Sequence, residues 1–137
     1  MQSIVNLEPV CAEYGRKIID GKTEKDIKEQ ENIINKALGV LAENGLYAMG
    51  VFLLSCSKKE YGEKVLVTYL RELWMDDRVQ LIKNKSKKDP GAVLDAIRGI
   101  TESLSKLILA RRLTEQTLIF ARYHAKAKIS SKENKNG

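Results

Sequence analysis

Across residues 89–128, apolar side chains return every three or four positions, and this long helical pattern restricts the fold more than any other feature. Ile100, Leu104, Leu107, Ile108, Leu113, Phe120 and Ala121 form one side. Arg111, Arg122 and Lys126 form another. Eleven residues separate Arg111 from Arg122, close to three turns, and Lys126 follows four later, so the three cations share a stripe. A long helix with an apolar side needs other helices to pack against. With only Pro9 and Pro90 as proline breaks, the chain can supply them. The expectation is an all-α fold, a compact bundle of five to six helices without a sheet, forming one domain over residues 1–128.

The upstream segments agree. Residues 7–19 carry Val10, Tyr14 and Ile18 at helical spacing, with Cys11 alongside, and stop at Asp20-Gly21. Residues 24–43 form a second helix, with Thr23 as cap, Asp26 in the manner of a capping box, and Ile27, Ile34, Leu38 and Leu41 inward. Asn44-Gly45 ends it. Residues 46–55 are apolar nearly all round, which places this third helix at the centre, with Phe52 and Leu53 in the core and Gly50 allowing close approach. A fourth helix spans 60–83, because Val79 and Ile82 continue its pattern past Asp76-Asp77. Asp89-Pro90 reads as cap and first helical residue of the fifth, which Gly99 and Thr101 can divide, with Thr101 capping the second half. Residues 129–137 lack apolar anchors and are expected to be a disordered polar tail.

Charge is uneven. The chain carries a formal +6, yet residues 1–68 hold nine cations against ten carboxylates, and residues 69–137 hold fifteen against eight. This asymmetry suggests a polyanionic partner, although a net charge of this size also serves solubility. Cys11 and Cys56 sit in apolar stretches and read as small buried hydrophobes. The N-terminus lacks the basic flank and long apolar core of a signal peptide, and the apolar run at 46–54 is too short to span a bilayer. A cytoplasmic protein without membrane contact is expected.

No catalytic apparatus stands out, so a non-enzyme is expected. The only histidine, His124, shares a helix face with Leu113, Thr117 and Phe120 and reads as packed and hydrogen-bonded. One histidine without a close cysteine pair supports no metal site, and no glycine-rich phosphate loop implies a cofactor. Asp76-Asp77 and the Glu29, Glu31 pair read as surface charge. The basic groups are the stronger lead. Lys83, Lys85, Lys87 and Lys88 form a loop, and Arg111, Arg112, Arg122, Lys126 and Lys128 lie on the last helix. Both can offer cations to phosphates, largely independent of sequence and weakened by salt. Arg111 has Glu115 four residues on, so Arg122, Lys126 and Lys128 carry more weight.

Two segments are similar to one family. Asn44-Gly45-Leu46 followed by Val51-Phe52-Leu53-Leu54 resembles the "NGL…aFLl" element of the small helical subunit of the type III-B CRISPR effector, the Cmr complex. Phe120-Ala121-Arg122-Tyr123-His124-Ala125-Lys126-Ala127 resembles its C-terminal "W-x-R-R-F-A-x-A" element, with Arg122, Ala125 and Ala127 matching. Phe120 stands where that family often has Trp, Tyr123 where it often has a second Arg, and His124 where it often has Phe. The resemblance implies a non-catalytic subunit of an RNA-guided antiviral complex. Such a subunit would stack with further copies of itself along guide and target RNA, and connect a large subunit to backbone subunits. The alternative from the residues alone is a helical protein–protein adaptor without a nucleic-acid role.

Overall fold

The computed structural model describes residues 6–83 and 87–136, with side chains to residue 132. All regular structure among them is helical, in six helices. Helix α1 is Glu8–Ile18, α2 is Glu24–Asn44 and α3 is Leu46–Ser55. Helix α4 joins Lys59–Lys64, a π-helical stretch Val65–Leu70, and Arg71–Met75. Helix α5 is Pro90–Thr101 and α6 is Leu104–Asn136.

Local chemistry sets most of these ends. The Asp26 backbone N–H donates to Thr23 Oγ1 at 3.1 Å, and the Ala92 N–H donates to Asp89 Oδ2 at 3.0 Å, so both expected caps form. Gly45 has φ +95°, a conformation open to glycine, and this one residue turns α2 into α3.

Helix α4 stops at Met75 rather than continuing to residue 83. Asp76 accepts from the Arg78 backbone N–H at 2.9 Å and from its guanidinium at 2.8 Å, so a local turn competes with the helix. Val79 and Leu81 remain buried in this irregular segment, tied back by Leu81 and Ile82 N–H bonds to the Trp74 carbonyl. Their burial mimics a helical pattern.

The break between α5 and α6 also differs from expectation. Thr101 ends α5, its hydroxyl donating to the Arg98 carbonyl at 2.7 Å, and Ser103 starts α6, its Oγ accepting a long 3.4 Å bond from the Lys106 N–H. At the far end α6 runs on to Asn136 instead of giving way to a tail after Lys128, and Ile129 packs against the core. Gly137 lies outside the described residues.

Helix α6 lies in the seam between α1 and α2. Cys11 Sγ reaches the Leu113 carbonyl, and Gly15 is backed against Thr117, Phe120 and Ala121, so α1 and α6 run parallel. Arg111 reaches Ala42 and Lys126 reaches Glu31, so α2 runs antiparallel to α6. Ala110, Leu118, Ala121 and Ala125 are fully buried along the seam. Trp74 is also fully buried, its indole N–H bonding Thr114 Oγ1 at 3.0 Å. Both cysteines are free and buried.

Helix α3 is not enclosed all round. Leu46, Met49 and Leu53 face inward and Gly50 admits Leu94 and Ile97 of α5, but Phe52 is only half-buried and Tyr47 and Val51 are 41% and 42% exposed. Ten residues surrounded by only three other helices leave one ridge in water. No helix among the described residues is long and apolar enough to cross a membrane.

Candidate nucleic-acid interface

The seam position of α6 decides what its cations can do. Arg111 does not turn to Glu115. Its guanidinium donates to the Ala42 carbonyl near the end of α2, at 2.8 Å, where a cation meets the negative end of the helix dipole. Lys126 Nζ stands 3.5 Å from Glu31 Oε2 on α2. Lys128 turns the other way and donates to the Ile19 carbonyl just past α1. Two members of the expected stripe, Arg111 and Lys126, thus turn to α2, whereas Lys128, outside that stripe, turns to α1. Weighting Lys126 and Lys128 for want of an acidic neighbour on their own helix overlooked partners on other helices.

Arg112 and Arg122 differ from these. Neither lies within 4.0 Å of a carboxylate among the described residues. Arg112 is exposed beside the start of α1, where it lines a shallow groove with Leu7, Glu8 and Gln116. Arg122 is half-buried, with its guanidinium carbon 5.9 Å from the Tyr123 ring centroid. Lys83, Lys87 and Lys88 are exposed, and Lys85 lies outside the described residues.

The solvent side of α6 is less polar than its spacing suggests. Leu104 and Ile108, expected on the apolar inner side, are 73% and 51% exposed, and Tyr123 is 60% exposed. Helical spacing puts Leu104, Ile108, Arg112, Ile119 and Tyr123 along one outward band. It joins apolar area, an aromatic face and the Arg112 guanidinium on one rigid element. This mixture suits docking against a macromolecule better than a solvated helix face does.

His124 is half-buried at the α1 edge and has no hydrogen-bond partner among the described residues, unlike the bonded histidine expected. Burial, and then the nearby charges of Lys128 and Arg16, hold its ring below the usual histidine range. Arg16 was not singled out from sequence, because only the parallel packing of α1 and α6 brings it near His124. Burial pushes the Cys11 thiol up, against any reactive thiolate there. No group of three or more His, Cys, Asp or Glu side chains among the described residues could hold a metal ion.

No protein-family model, curated protein or solved structure matches this chain.

Proposed function

We propose that the chain is a non-catalytic small subunit of an RNA-guided ribonucleoprotein of the type III-B CRISPR kind, acting as a helical spacer that touches both protein and RNA backbone. The observation that carries this is the outward band of α6, where exposed Leu104 and Ile108 share one helix with the carboxylate-free Arg112 and Arg122 and the exposed Tyr123. Apolar area supports subunit packing. Guanidinium groups suit phosphate oxygens, and an exposed aromatic ring offers a stacking platform. The two segments that resemble the family also have physical work here. Gly45 makes the α2–α3 turn, and Ala121 and Ala125 let α6 sink into the seam while Arg122 keeps to its edge.

The test is single-stranded RNA binding against salt, on the free subunit and on the reconstituted assembly. Each phosphate contact contributes about −0.7 to the slope of log affinity against log salt. Replacing Arg112 and Arg122 with Ala should flatten the slope by roughly 1.4, equally for unrelated RNA sequences. Unchanged affinity and slope in both settings would leave the adaptor reading. That second reading draws on the internal use of Arg111, Lys126 and Lys128, which lowers the charge available to a polyanion.

A further inference from the structure

The Glu31 side chain, expected at the surface, is only 18% exposed. Its Oε2 is enclosed and accepts no hydrogen bond among the described residues. Lys126 Nζ, 3.5 Å away, balances the charge without making that bond, and the lysine itself is 60% exposed. Beside this pair a groove of about 430 Å³ opens between α2 and α6. Asn32, Ile129 and Ser130 line it, together with Lys28, which pairs with Glu24 at 3.0 Å. Arg122 stands four residues, about 6 Å, before Lys126 on the same side of α6.

Helix chemistry does not account for this oxygen. Glu31 and Lys126 both lie inside their helices, away from the caps and the dipole ends. An enclosed carboxylate oxygen without a donor costs stability, and an apolar side chain of the same length would avoid that cost. The fold alone gains little from an ion pair too long to hydrogen-bond. What the oxygen lacks is a neutral donor, one that also leaves the Lys126 charge free. An acceptor in a groove flanked by cations fits a ligand that carries a hydroxyl next to an anion.

We propose that this groove reads the ribose of single-stranded RNA and makes the chain prefer RNA to DNA. A 2′-hydroxyl donates to Glu31 Oε2, the neighbouring phosphate takes Lys126, and Arg122 meets the next phosphate along. Binding thus exchanges one loose ion pair for a phosphate contact and a hydrogen bond to a carboxylate. Lys126 can make this exchange because its long stem lies mostly in water. Asn32 and Ser130 hold the ribose edge. That the ligand is a nucleic acid rests on the function proposed above. Glu31 adds the choice of sugar, because phosphate contacts serve both strands and the 2′-hydroxyl is the group that DNA lacks.

Oligouridylate and oligodeoxyuridylate isolate this group, since they share base and phosphates. The full chain should bind the ribose form roughly tenfold more tightly, the worth of one hydrogen bond to a charged acceptor. An oligouridylate with 2′-fluoro groups keeps the ribose pucker without a donor and should bind like the deoxy form. Glu31→Met keeps the length and removes the acceptor. It should bring the ratio of ribose to deoxy affinity close to one without weakening the deoxy form. Glu31→Gln retains an acceptor and should retain part of the preference. A purely structural Glu31 would shift both affinities together and leave their ratio unchanged. If RNA binds without preference, if the fluoro form binds like RNA, or if Glu31→Met keeps the ratio, the ribose site is overturned and the RNA-backbone function stands. If neither strand binds the free subunit or the reconstituted assembly, both readings fall together.

Discussion

Gly62 offers the sharpest test of the packing between α3 and α4. A Cβ built there would sit 1.9 Å from the Leu53 carbonyl oxygen, 2.9 Å from its carbon and 2.7 Å from Cys56 Sγ. Ordinary carbon–oxygen contacts need about 3.3 Å, so α4 would have to retreat by roughly 1.4 Å. The obstacle is backbone, which no rotamer change removes. The connection, residues 56–58, is too short to absorb the shift, and Cys56 Sγ is already bonded to the Leu53 and Lys58 carbonyls. Gly62→Ala should therefore cost about 3 kcal/mol or more. In a chain of this size that lowers the melting temperature by roughly 10 °C. Two other glycines calibrate the reasoning. At Gly50 the neighbours at 3.1 Å are the methyl ends of Ile97 and Leu94, which can turn aside, so Gly50→Ala should lie within about 1 kcal/mol of neutral. Gly39, within α2, has nothing within 4 Å, so Gly39→Ala should stabilise by about 0.5–1 kcal/mol. Urea unfolding followed by fluorescence of the buried Trp74 measures all three. A Gly62→Ala protein as stable as the Gly50→Ala protein would refute the close contact and with it the placement of α4.

The remaining expectations use the same assay. Leu53→Ala should cost about 2–5 kcal/mol and Phe52→Ala only about 1–2, because Leu53 is fully enclosed and Phe52 is not; equal losses would contradict the exposed ridge of α3. Thr114→Val keeps the shape but strands the Trp74 indole N–H, for a loss of about 1–3 kcal/mol that Thr114→Ser should largely avoid. The Arg78 guanidinium holds the Asp76 and Glu13 carboxyls below the usual carboxylate range. Their folded pKa values lie below the unfolded ones, so their contribution is complete above about pH 4 and lost as pH falls through the folded values. Arg78→Ala should make the acid side of a stability–pH curve shallower, and a parallel curve would show that this cluster has no role there.

Helix type and most starts were readable because they depend on neighbours in the chain. Thr23 with Asp26, and Asp89 with Pro90, hold their caps within three residues, and Gly45 supplies its turn alone. Errors came where a local competitor met a persistent apolar pattern. Val79 and Leu81 stay buried after Asp76 has turned the chain out of the helix, so burial without helicity looked like eight more residues of α4. Similarly, Leu104 and Ile108 fit the apolar spacing of α6 but lie beyond the stretch that α1 and α2 cover.

The candidate interface was harder to read for a physical reason. A cation's availability depends on what faces it across the fold, and spacing along one helix reports only one side of that. Arg111 finds its acceptor 69 residues upstream and Lys128 finds one 109 upstream, so the apparent absence of a partner on α6 was misleading for Lys128. The same geometry created a feature that no spacing could show. Once α1 runs parallel to α6, Arg16 comes near His124, and Glu13 and Asp20, which line the same groove, pair with Arg78 and Lys64. Uncompensated positive charge in a groove is a property of these pairings rather than of any single segment. It follows that Arg78→Ala, which leaves Glu13 paired with Lys17 alone, should raise the His124 titration midpoint, read from its ring proton resonances, in the absence of any ligand, since a less neutralised carboxylate favours the protonated ring. An unchanged midpoint would mean that Glu13 stands too far from the ring to matter, and that Arg16 and Lys128 alone set its charge.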